Sequence, residues 1–139
     1  MFARDFFFNE KEKKKLSISI KVVDKHADDW KGECIYDGII DGIKKFTIIV
    51  VLEPTEKNDI DKYLEEPVCT VLHEMVHVKQ FFKGELKVYA NGRSRFHRQI
   101  FEEDHEYWFS PWEVESFGMT PGLYHKFLIN RREIEDGKA

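Results

Sequence analysis

Val68, Val71, Leu72, Met75, Val76, Val78, Phe81 and Phe82 recur in one stretch at spacings that, on a helix, cover most of its circumference. A helix apolar on nearly all sides has no solvent face, so the rest of the chain must be built around it. Yet the same stretch carries His73, Glu74 and His77. Burying two imidazoles and a carboxylate without compensation is unfavourable, so the sequence must supply them with a partner. Pro67 suits a first helical position and Lys83-Gly84 a C-terminal stop, which predicts a helix from Pro67 through Phe82.

The flanking segments read mainly as strands and short helices. Leu16, Ile18, Ile20 and Val22 alternate with Ser17, Ser19 and Lys21, the pattern of a half-buried strand over Leu16–Val23. Gly32–Tyr36 reads as a second strand, closed by Asp37-Gly38. Phe46–Leu52 is continuous and β-branched, a central strand that stops at Pro54. Asn58–Leu64 suits a short helix capped by Asn58 or Asp59. Asn91-Gly92, between Leu86–Ala90 and Ser94–Phe101, signals a β-hairpin. Glu102–Tyr107 then forms an acidic loop. Ser110-Pro111 opens a helix that stops near Gly118, and another runs from about Pro121 to Ile134. With 139 residues and no linker or repeat, one domain over 1–139 is expected. The predicted fold class is α+β: a small, mostly antiparallel sheet beside the buried helix, with C-terminal helices completing the site.

Bulk properties narrow the function. A net charge of -4 gives no basic face of the kind nucleic acid requires. Two cysteines are too few for a disulfide framework and fit a reducing compartment. Phe6, Phe7 and Phe8 follow Asp5 and precede lysines, the wrong order for an export signal. The apolar run Phe46–Leu52 is far too short to span a bilayer. A cytoplasmic chain with no membrane segment is therefore expected.

The chemistry lies in His73-Glu74-Met75-Val76-His77. Residues four apart on a helix lie one turn above each other, so two imidazoles there can share one metal ion. Glu74 projects about 100° round from His73, within reach of a water held by that ion. Zinc lowers the pKa of such a water, and a glutamate can take its proton as the water attacks a carbonyl. The neighbours Val71, Leu72, Met75, Val76 and Val78 are uncharged, as a buried metal helix requires; Lys79 departs from that apolar pattern.

A catalytic zinc needs a third protein ligand. Downstream stands Ser110-Pro111-Trp112-Glu113-Val114-Glu115-Ser116. On a helix Glu113 and Glu115 point to nearly opposite sides, so only one of them can face the metal. Glu113, followed three residues later by the small Ser116, fits close helix packing at the site and is the favoured ligand. It has a competing role, since Ser110 and Glu113 are spaced as a capping box. Glu115 is the alternative ligand, or a solvated surface charge. His97, on a predicted strand, and His105, in the acidic loop, are further alternatives that would give a three-histidine site of the SprT-like kind. His26 and His125 read as surface residues.

His73–Gln80 with Gly84-Glu85-Leu86, then Tyr107-Trp108 and Pro111–Ser116, resembles the small phage-type and bacterial zinc metallopeptidases, minimal gluzincins whose ligands are two histidines and a glutamate. The resemblance covers Val68–Phe117; the N-terminal half matches no family by eye. Ser116 stands where that pattern has alanine. The resemblance implies a short antiparallel sheet beside the metal helix, a Zn2+ cofactor and a peptide or protein substrate.

The remaining candidates are weighed singly. Gly32-Glu33-Cys34 resembles the upstream ligand segment of peptide deformylases, but with the order changed and their glycine-rich motif missing; a small buried apolar cysteine is the plainer reading. Cys69, one turn before His73, reads as helix packing. Tyr107 is the preferred donor to a developing oxyanion, ahead of Tyr89 and His105. Gln80 shares the histidines' helix face and suits a supporting role behind them. Two functions stay open: a zinc-dependent peptidase with Glu74 as base, or a non-catalytic zinc-containing protein-binding module on the same scaffold.

Overall fold

Two three-stranded sheets and two long helices make up most of the computed structural model, which describes residues 2–25, 28–53 and 60–137. The first sheet holds β1 (Leu16–Val23), β2 (Gly32–Ile40) and β3 (Ile43–Val51) in the order β1-β3-β2. The β-branched β3 is central, as its composition predicts. It pairs parallel with β1 and antiparallel with β2. Its inward side chains Phe46 and Ile48 are 1% and 0% exposed. The fold is α+β, with mostly antiparallel pairing.

The buried helix is α3 (Ile60–Phe82), which packs on β2 and β3. Met75, Val76 and Val78 are fully enclosed. The predicted start at Pro67 is wrong: the helix runs from Ile60, with Pro67 inside it. A proline there removes one ladder hydrogen bond. Packing outweighs that loss, because Val68 and Val71 pack against the core, while Leu64 and Pro67 line an apolar groove with Ile20 and Val22 of β1. The expected Asn58–Leu64 helix is thus the first part of α3; its cap at Asn58 or Asp59, the strand stop at Pro54 and His26 lie outside the described residues. That groove also explains why Ile20 and Val22 stay exposed on a strand predicted to be half-buried.

Asn91-Gly92 does turn the chain between β4 (Leu86–Val88) and β5 (Ser94–Phe96), with Gly92 at φ 87 and the Arg93 amide donating to Asn91 Oδ1. The second arm does not continue to Phe101. His97, at φ 53, breaks it, and β6 (Gln99–Phe101) folds back on β5. The predicted stop near Gly118 is also absent. One helix, α4 (Pro111–Glu135), runs through Gly118 and Pro121. Thr120 Oγ1 donates to the Ser116 carbonyl one turn before, and Leu123 beyond the proline is buried in the core.

At the N-terminus α1 (Phe2–Phe7) and Phe8 insert Ala3, Phe7 and Phe8 into the core beside Leu72, Leu123 and Phe82. Asn9 and Glu12 then form a capping box on α2 (Glu10–Lys13). No helix among the described residues is long and apolar enough to cross a membrane.

Candidate metal centre

α4 crosses α3 so that Glu113, in its first turn, meets both histidines. Glu113 Oε2 lies 3.1 Å from His73 Nε2, and Oε1 lies 3.0 Å from His77 Nε2. His73, His77 and Glu113 are the described group whose ligand atoms all fall within 4.8 Å of one another, a set that could hold a metal ion. Ligands about 2.1 Å from a tetrahedral ion lie about 3.4 Å apart, close to these spacings. The capping-box alternative fails, because the Ser110 amide donates to the Tyr107 carbonyl and the Glu113 carboxylate is turned to the histidines.

Gln80 decides the state of His77. It is fully buried, and its amide Nε2 donates to the Trp112 carbonyl and to Glu115 Oε1, each at 3.0 Å. Both partners are acceptors only, so the amide cannot be turned round. Its oxygen, 2.8 Å from His77 Nδ1, therefore accepts from an Nδ1–H. The Nε2 atom of that tautomer is a lone pair facing a carboxylate oxygen 3.0 Å away. Two acceptors cannot share such a contact unless a proton or a cation lies between them. Without a metal the proton serves. Burial opposes charge on His77, but Glu113 and Glu74 outweigh it and raise its pKa. Likewise burial opposes ionisation of Glu113, yet the two imidazoles bring its pKa down to about 2. One divalent ion would take the place of that proton, so the residues fit a metal.

Glu115 lies outside this group. It accepts from Gln80 and from Lys79 Nζ at 2.9 Å, and Lys79 also pairs with Glu85. The departure of Lys79 from an apolar pattern thus has a use: it neutralises the carboxylate that holds Gln80. Ser116 is fully buried and its hydroxyl donates to the His73 carbonyl at 2.7 Å, which lets α4 lie close against α3.

Glu74 stands beside this group, 8% exposed, at the wall of a cavity of about 970 Å³. Burial raises its pKa, with the two histidines opposing. Gly32 opens β2 against this helix; a Cβ there would collide with the Thr70 methyl, 3.0 Å from the Ile49 carbonyl and 3.7 Å from Glu74 Cγ. Tyr107 lines the same cavity, and burial together with the nearby Glu113 pushes its hydroxyl pKa up to about 12.

Comparison of the chain with protein families, curated proteins and solved structures finds no match. His97 occupies the β5–β6 turn rather than a strand, and its ring packs on Phe96. His105 Nδ1 bonds the Glu102 carbonyl and its ring packs on Trp112. Neither belongs to the metal group. His125 is exposed, as expected. Tyr89 stacks under Lys87 and is not among the residues lining the cavity. Cys34 and Cys69 are unpaired and line the cavity, with burial raising both thiol pKa values.

Proposed function

We propose that this chain is a zinc-dependent peptidase that cleaves peptide bonds with Glu74 as general base. The observation that carries the reading is the Glu113 carboxylate between two imidazole nitrogens, beside a buried Glu74 at a cavity wall. Two histidines and a glutamate that leave one position open are a donor set suited to catalytic zinc. When bound, zinc polarises a carbonyl and acidifies water. The remaining work falls to the chain. Glu74, its pKa raised by burial, takes a proton from the attacking water on a carboxylate oxygen and passes it to the leaving amine. Tyr107 stays protonated at neutral pH and offers its O–H to the carbonyl oxygen as charge develops there. The edge strand β4, with Leu86 and Val88 on the cavity, offers backbone groups to an extended peptide. Free Cys34 and Cys69 fit a reducing, cytoplasmic setting.

The exposed aromatic turn Tyr107–Phe109 favours a second reading, a zinc-containing protein-binding module without turnover. A peptide-library digest separates the two, run with wild type and Glu74→Gln after metal content is measured in each. Cleavage by wild type and at least about 10²-fold less by the variant, both with one zinc, supports the peptidase. Stoichiometric zinc with no cleavage by wild type supports the module.

A further inference from the structure

The rim of the cavity on the α4 side is aromatic. Phe117 packs on the metal-site histidine His73 with ring centroids 4.5 Å apart, and Trp108 packs on Phe117 at 5.5 Å. Both rings line the cavity, yet Trp108 is 64% and Phe117 47% exposed, and neither belongs to the core cluster. They are held outward. Trp108 sits in a tight turn closed by hydrogen bonds from Phe109 N to Glu106 O and from Ser110 N to Tyr107 O, with Ser110 itself buried. Phe117 is fixed by the neighbouring Ser116, locked to α3. An exposed apolar surface that starts at a residue of the metal group suits a binding surface better than leftover core.

Resting on the peptidase reading, we infer that Phe117 and Trp108 form the specificity pocket, which takes a large apolar side chain next to the bond cleaved. The charged groups of the cavity disfavour an acidic side chain, since Glu33, Glu66, Glu74 and Glu113 line it. Among the described residues Lys31 is the one lysine or arginine lining the cavity, and it is paired with Glu53 and Glu66. An acidic side chain on the aromatic wall would have no lysine or arginine left to pair with among the lining residues. An apolar one is removed from water against two rings and a histidine face.

The test uses blocked peptides that differ at one position, carrying Phe, Leu, Ala, Glu or Lys. Binding is measured by calorimetry on zinc-loaded Glu74→Gln, so no turnover is needed, and cleavage is measured on wild type. The Phe and Leu peptides should bind at least about tenfold more tightly than the Ala peptide, since a few buried methylenes are worth that much. Trp108→Ala and Phe117→Leu, each placed in the Glu74→Gln background, should shrink that ratio severalfold while their zinc content stays at one per chain. Phe117→Leu keeps an apolar contact on His73, so it guards against a folding failure. Equal binding of all five peptides, or tighter binding of the Lys or Glu peptide, overturns the pocket. Cleavage without apolar preference sinks the pocket alone. Apolar-selective binding without cleavage keeps the pocket and sinks the peptidase reading.

Discussion

The donor arithmetic of Gln80 gives the site its chemical direction. With both amide protons committed to Trp112 and Glu115, only its oxygen is left for His77, whose other nitrogen is thereby freed for a metal. Gln80→Leu should therefore weaken zinc by about 10–100-fold, read by competition with a chromophoric chelator. The nitrogen NMR shifts of His77 should move with it; an unchanged affinity would show that Gln80 only fills space. Glu113 and Glu115 differ in kind. Glu113→Ala removes a ligand and should lose at least about tenfold more zinc affinity than Glu115→Ala, which acts only through Gln80. A zinc-bound structure with Glu115 on the metal would reverse that assignment. The grouping of His73, Glu74 and His77 was legible in the sequence because helical spacing puts them together, and Glu113 was favoured as their partner because the small Ser116 follows it three residues on. The use of Lys79 and Glu115 was not legible. It depends on how α4 crosses α3, a long-range relation that no local spacing encodes.

At the level of elements, two close approaches hold the site walls in place. β2 passes α3 at Gly32, where a methyl group would strike the Thr70 side chain. Gly32→Ala should destabilise the fold by about 1–3 kcal/mol in a denaturant titration, the usual range for overpacking. A stability equal to wild type would mean that β2 yields easily there. α4 meets α3 at Ser116. Ser116→Ala loses one hydrogen bond, worth about 1 kcal/mol, and should keep its zinc. Ser116→Leu has no room and should push α4 away, lowering zinc affinity as it lowers stability. Retained affinity in that variant would separate helix spacing from metal binding. Local signals located these elements well where they act locally: the alternation of β1, the β-branched run of β3, the Asn91-Gly92 turn. They failed where packing overrides them. Pro67 and Gly118-Pro121 read as boundaries, yet Val68 and Val71 pack against the core and Leu123 is buried in it, so both helices run through. The helix of Phe2–Phe7 was missed because three phenylalanines in a row carry no helical period, and the capping box of Asn9 and Glu12 that follows was missed with it.

For the whole molecule, the metal group ties two elements that are distant in the chain. His73 and His77 come from α3, and Glu113 from the start of α4, 40 residues after His73. An ion held by all three binds the native arrangement and has no such set in the unfolded chain, so it stabilises the fold by mass action. At a free zinc concentration about 100 times the dissociation constant, the gain is about 2.7 kcal/mol. For a chain of this length that is a rise in Tm of about 10 °C. Adding a chelator to the zinc-loaded protein should take that rise away, and returning zinc should restore it. His77→Ala and Glu113→Ala should melt at one temperature with or without zinc, which marks the effect as site-specific. Glu74→Gln should keep the full rise, because Glu74 lies beside the ligand set and not within it. A zinc-independent Tm in wild type would remove the metal centre itself. A lost rise in Glu74→Gln would move that residue from base to ligand, and the peptide digest would then have to be read as a metal-loss experiment.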